Sequence, residues 1–137
     1  MKEIIEKLKS LNTITCGEPA KVYDNIKARD FLSQNHLPVF PEEYFLFIKY
    51  INGIKNETAE LYGVFPSDYD GYFTNAVMLN YSLNRADKQY TSVLGHTHFD
   101  FLVYDKVAQQ YQFRDKTDND LVASFSHISE ALAYMFL

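Results

Sequence analysis

The chain lacks tryptophan altogether and holds one cysteine, four prolines and five glycines in 137 residues. A lone cysteine, Cys16, excludes an internal disulfide. The glycines are scattered and none forms a G-x-G or G-K pair, so there is no glycine-rich phosphate loop. No apolar run approaches the roughly 20 residues of a membrane span. The opening Met1–Lys7 is charged and amphipathic and lacks the apolar core of a secretory leader. The expected compartment is therefore the cytoplasm, with no membrane partner. Basic residues are also short: 13 against 18 acidic ones, a net charge of −5. Neutralising phosphates needs a Lys/Arg surface, so direct nucleic-acid binding is not expected. A basic macromolecule would be attracted instead.

What is present belongs to a folded domain. Hydrophobic residues make up 47% and charged residues 23%, which excludes a disordered composition. The length fits one domain, residues 1–137, burying about two-thirds of its unfolded surface. No disulfide or metal staple is required, and no cofactor is implied. Eleven Phe and 11 Tyr supply strand and core fillers. Tyr also suits a contact surface, because it offers large area at low entropic cost.

Hydrophobic spacing predicts helices at both ends and strands mostly in the second half. The first helix spans about Lys2 to Leu11, with Ile4, Ile5, Leu8 and Leu11 toward the core. A break follows at Thr15–Pro19, and a second helix runs from about Tyr23 to Asn35 on Ala28, Phe31 and Leu32. A third begins with Pro41 at its first position, carries Glu42 and Glu43 at the positive end of its dipole, and is closed by Asn52-Gly53. Ala59 to Phe65 reads as a strand stopped by Pro66, Ser67 to Tyr72 as a loop, and Thr74 to Leu83 as a short helix. Thr91–Leu94, Asp100–Tyr104 and Gln109–Arg114 read as consecutive antiparallel strands, the last with one wet face, and Leu121–Phe125 as a final strand. Ser126 is the expected N-cap of a C-terminal helix with Ile128, Ala131, Leu132, Met135 and Phe136 on its core stripe.

The order of these features resembles the SUKH superfamily, which includes the fungal Smi/Knr-type regulators of cell-wall assembly. Leu37-Pro38 leading into Pro41-Glu42-Glu43-Tyr44-Phe45 is similar to the family's entry to its central helix, and Asn52-Gly53 to its closure. Leu61–Pro66 looks like the next strand, Gly95 with Asp100–Asp105 like the hairpin, and Phe125-Ser126 with Glu130-Ala131-Leu132 like the closing strand and helix. The similarity runs from about Tyr23 to Leu137. It departs from the family in having no Gly before Leu37 and no Trp. The resemblance implies an α+β fold: a mainly antiparallel sheet with helices packed around it. It makes Leu37, Pro38, Asn52, Gly53, Asp100 and Tyr104 structural motif positions. It further implies a non-enzymatic protein-binding role, either as a bacterial immunity protein that neutralises a nuclease or deaminase toxin, or as a scaffold in cell-wall glucan synthesis.

The residues themselves offer few alternatives. Gly95-His96-Thr97-His98-Phe99-Asp100 resembles the His-x-His-x-Asp-His run of binuclear metallo-hydrolases. Imidazoles and a carboxylate suit zinc, and on one extended strand His96, His98 and Asp100 would share a face. The run's last His is replaced by Phe101, so no metal site is expected. Cys16 stands in a turn away from any motif and reads as a free thiol. Asp68-Tyr69-Asp70-Gly71 lacks the remaining ligands of a calcium loop, and Asp115, Asp118 and Asp120 read as turn formers. The loop carrying Asp68, Tyr69, Asp70 and Tyr72 alternates acid and aromatic residues. It is the expected contact for a basic protein partner such as a toxin domain. The chain is expected not to be an enzyme.

Overall fold

Ile4, Ile5 and Leu8 draw helix α1 (Lys2–Ser10) onto the core, as their spacing predicts. In the computed structural model, which describes residues 1–66 and 72–137, α2 spans Val22–Gln34, α3 Glu42–Ile48, α4 Ala76–Ser82 and α5 Ile128–Phe136. The strands are β1 (Thr15–Cys16), β2 (Ile54–Lys55), β3 (Glu60–Leu61), β4 (Thr91–His96), β5 (Asp100–Asp105), β6 (Gln110–Asp115) and β7 (Leu121–Phe125). Each strand pairs antiparallel with the next, in the spatial order β1 to β7. The fold is α+β, with helices at both termini of the chain.

The long strands lie where the sequence predicts them. The first three do not: β1 falls in the expected break, and only Glu60–Leu61 of the expected Ala59–Phe65 strand pairs as one, Gly63 making a single bridge to Asn75. Each of these strands has two residues, too few for a period of two to register. Helix α3 is shorter than expected at both ends. Pro41 is its N-cap, and it stops at Ile48, so Asn52-Gly53 does not close it. The chain leaves α3 to meet an earlier segment: Ala20 N–H bonds Ile48 O at 2.9 Å and Asn52 N–H bonds Glu18 O at 3.1 Å. Gly53 does take a positive φ, +103°.

Likewise Ser126 is not the cap of α5. His127 is, and Glu130 accepts its backbone N–H at 3.1 Å. Glu43 of α3 adds a second acceptor for that helix end, taking the Ile128 N–H at 3.3 Å and lying 3.1 Å from His127 Nδ1. A carboxylate at the positive end of a helix dipole is stabilising.

One core unites the elements. Leu8, Leu32, Phe47, Ile51, Leu102, Phe113 and Leu132 all belong to it. The Tyr134 ring of α5 lies 4.5 Å from that of Phe113 on β6, tilted by 42°, which places α5 on the face of the sheet that carries Phe113. Among the described residues no helix is long and apolar enough to cross a membrane.

Candidate functional site

Cross-strand partners in an antiparallel sheet share a face. The register therefore defines two neighbouring rows. One runs through Ile54, Leu61, Gly95, Leu102, Phe113 and Ala123 and faces the helices. The other runs through Lys55, Glu60, His96, Phe101, Arg114 and Leu121, on the opposite face. A bulge in β4 decides this arrangement. Val93 pairs with Val103 but Gly95 pairs with Leu102, leaving Leu94 as the extra residue. The insertion moves His96 onto the face of Val93, which simple alternation would deny it.

Two segments cross this second face. At one end, Thr74 N–H and Oγ1 bond the Glu60 carboxylate at 2.7 and 3.3 Å, and Glu60 is buried. Lys55 Nζ donates to Tyr72 O at 2.7 Å and lies 3.8 Å from the Tyr72 ring centroid. At the other end, Arg114 reaches Asp87 at 2.6 Å, Asp105 at 3.3 Å and Gln112 at 2.8 Å. Arg85 donates to Thr91 Oγ1 at 2.5 Å and to Asn80 Oδ1 at 3.2 Å. This network covers β6, so its expected wet face is not wet: Gln112 is buried and Arg114 half-buried. The Arg114 guanidinium holds the 85–87 segment to the sheet through Asp87.

Between the two crossings lies His96. Its Nδ1 shares a 2.8 Å hydrogen bond with Tyr62 Oη. Burial lowers the His96 pKa, and the positive charges of Lys116 and Lys55 lower it further. Burial and the Glu60 charge push Tyr62 well above the ordinary phenol value, so it remains a hydroxyl. Lys116 Nζ stands 5.4 Å from the Phe101 ring centroid.

The expected contact loop is only partly described: Asp68, Tyr69 and Asp70 lie outside the described residues, and Tyr72 is exposed beside Lys55. Leu37 and Pro38 are buried between α2 and α3. Asn52 is buried, and its side-chain amide both donates to Val64 O (3.0 Å) and accepts from Val64 N–H (2.8 Å). Tyr104 packs edge-on against Tyr111 at 4.8 Å.

The metal-type run does not assemble. A turn separates His96 from Asp100: Thr97 N–H bonds Asp100 O at 2.8 Å, and His96 pairs with Phe101. His96 and Asp100 consequently point to opposite faces, which corrects the shared-face geometry read from one continuous strand. Among the described residues no three His, Cys, Asp or Glu side chains gather as a metal would need. Asp115 and Asp118 serve their own turn, accepting the N–H groups of Thr117 and Asp120 at 2.7 and 2.9 Å. Burial pushes the Cys16 thiol up, away from the reactive thiolate.

A second surface stands on α2. Val22, Tyr23 and Ile26 are 73%, 71% and 53% exposed, although all three are large and apolar. Tyr23 and Ile26 border a shallow depression of about 230 Å³ with Lys27, Asp30, Phe31 and Gln34. Phe31 packs edge-on against the exposed Tyr81 of α4 at 5.2 Å, extending the aromatic area. Lys27 lies over Phe65, linking this face to the chain leading into 67–71. The sequence reading missed this surface. The signal was available: Val22 and Ile26 are spaced i, i+4 on a side of the helix away from Ala28 and Leu32.

No family model, no curated protein and no solved structure matches the chain.

Proposed function

We propose that the chain is a non-enzymatic protein-binding module, and that its partner is a basic toxin domain which it neutralises by binding. The observation that carries this reading is the outer face of α2. Three large apolar side chains on one helix stay more than half exposed, beside Asp24 and Asp30. Exposed apolar area rimmed by polar residues marks interaction surfaces, and aromatic anchors dominate binding energy. The net charge of −5 favours a cationic partner and speeds its approach. Toxins that act on nucleic acid present basic surfaces for the same electrostatic reason. The resemblance to SUKH immunity proteins agrees with this role. Tyr72, exposed beside Lys55, is proposed as a second contact.

The test is co-expression with a toxin candidate encoded beside this gene, together with binding of the two purified proteins. The chain should rescue growth and bind. Tyr23→Ala and Ile26→Ala should raise the dissociation rate at least tenfold, equivalent to about 1.4 kcal/mol. Cells that die equally with and without the chain, and no binding in solution, would remove the immunity role. Binding to cell-envelope synthases instead would put the glucan-synthesis scaffold in its place.

A further inference from the structure

We propose that the outer edge of β7 accepts an extended segment of another protein, apolar in its middle and basic at both ends, as a further strand of the sheet. This edge is separate from the α2 surface and does not depend on the toxin reading.

Strand β7 ends the strand order and has β6 as its one neighbour. Among the described residues, no hydrogen bond reaches Leu121–Phe125 from outside the sheet. Alternate residues of an edge strand turn their N–H and C=O groups outward, and an added strand satisfies them. The opposite edge offers little, because β1 has two residues. Strand β7 has five, with no charge and no proline among them, so two common guards of an exposed edge are missing. Leu121 and Val122 are 59% and 50% exposed, and Ser124 and Ser126 are exposed too. On the helix side of the sheet, the half-exposed Tyr134 ring lies 5.4 Å from that of Phe125 and forms an apolar wall beside β7. Every second side chain of an incoming strand would meet that wall, and the others would lie on the face of Ser124.

Charge selects the occupant. Before β7, Asp118 and Asp120 are exposed, while Lys116 is drawn toward β5, its Nζ 5.4 Å from the Phe101 ring centroid. After β7, Glu130 and Glu43 gather at His127 and keep their charge while accepting its hydrogen bonds. Arg114, opposite Leu121, is bound by Asp87 and Asp105. Both ends of the edge are therefore acidic. Two copies of this chain, paired antiparallel through β7, would set acidic end against acidic end. The bulge at Val122 also twists the edge away from the long, flat pairing of two sheets. A short extended segment with Lys or Arg at each end meets neither obstacle, and its backbone supplies the missing hydrogen bonds.

The test uses the intact chain and a short peptide of alternating Val and Thr with a lysine at each end and blocked termini. Amide NMR should show saturable shifts centred on β7, with slower hydrogen exchange at its outward N–H groups. Replacing the peptide's lysines by glutamates should weaken binding about tenfold. N-methylation of every Val and Thr should abolish it, because the donors and the close approach are lost. Asp120→Lys, at an exposed side chain, should weaken binding of the lysine-ended peptide at least threefold without moving the unfolding midpoint. Shifts that do not saturate, or that centre on α2, would overturn the proposal. So would equal binding of the N-methylated peptide. A concentration-dependent dimer without peptide, lost in Val122→Lys, would put a second copy of this chain on the edge and overturn it as well.

Discussion

Two buried asparagines do the same work at two places in the fold. Asn52 binds both the N–H and the C=O of Val64, and Asn80 binds both the N–H and the C=O of Val93 at 2.8 Å. Each amide takes the place of a neighbouring strand where β-pairing stops. Gly63 makes room for the first, since a Cβ there would stand 2.8 Å from Asn52 Oδ1. Asn52→Ala or Asn80→Ala should leave two buried backbone groups unpaired and cost roughly 2–4 kcal/mol. Urea midpoints would check this, and a shift of a few tenths of a kcal/mol would show that water replaces the amide. Gly53 is the other sensitive position. Its φ of +103° opposes a β-branched residue, and a Cβ would meet Phe73 at 2.9 Å. Gly53→Val should destabilise by more than about 1 kcal/mol, measured the same way. The Asn-Gly pair was legible as a special backbone point. Its role was not, because Asn52's partner lies 12 residues away.

Between elements, carboxylates carry contacts that no local pattern announces. Glu43 was legible as a favourable residue for its own helix, yet it also caps α5, 85 residues later. Glu43→Ala should loosen α5 and cost about 1 kcal/mol. Hydrogen exchange at the α5 N-terminus should rise in that variant, and unaltered protection there would refute the cap. Asp87 ties the 85–87 segment to β6. Burial alone would raise its pKa, but the Arg114 hydrogen bond and the charges of Arg114 and Arg85 hold it below the ordinary 3.8. A carboxyl whose folded pKa is depressed contributes stability above its unfolded pKa and loses it as pH falls through the folded value. Asp87→Asn should therefore cost roughly 1–3 kcal/mol at pH 7, and the gap from the parent should close as pH drops below about 3.8. Denaturant curves at pH 7, 4 and 3 would show it. A gap independent of pH would mean that the charge is not what holds the segment.

At the scale of the molecule, the helices at the two termini, the four long strands and their antiparallel order followed from the chain itself. Their signal is local: apolar residues at helical spacing in α1 and α5, an apolar run in β5 and alternation in β6 set which surface each element must bury. The two faces depended on the chain in different degrees. The α2 face needed only the observation that one helix has apolar residues on two sides. The His96 face needed the register of every strand from β2 to β7, and that register turns on two extra residues, Leu94 in β4 and Val122 in β7. Periodicity assigns a face only while the count is unbroken. A bulge breaks the count, and Gly95 beside the one in β4 lets β4 meet β3, since a Cβ there would collide with Glu60 O. Composition and spacing thus determined that the chain forms an acidic α+β domain with helices at both ends. Only tertiary packing decided which side of the sheet His96 shares with Lys55, and that Asp100 lies on the other.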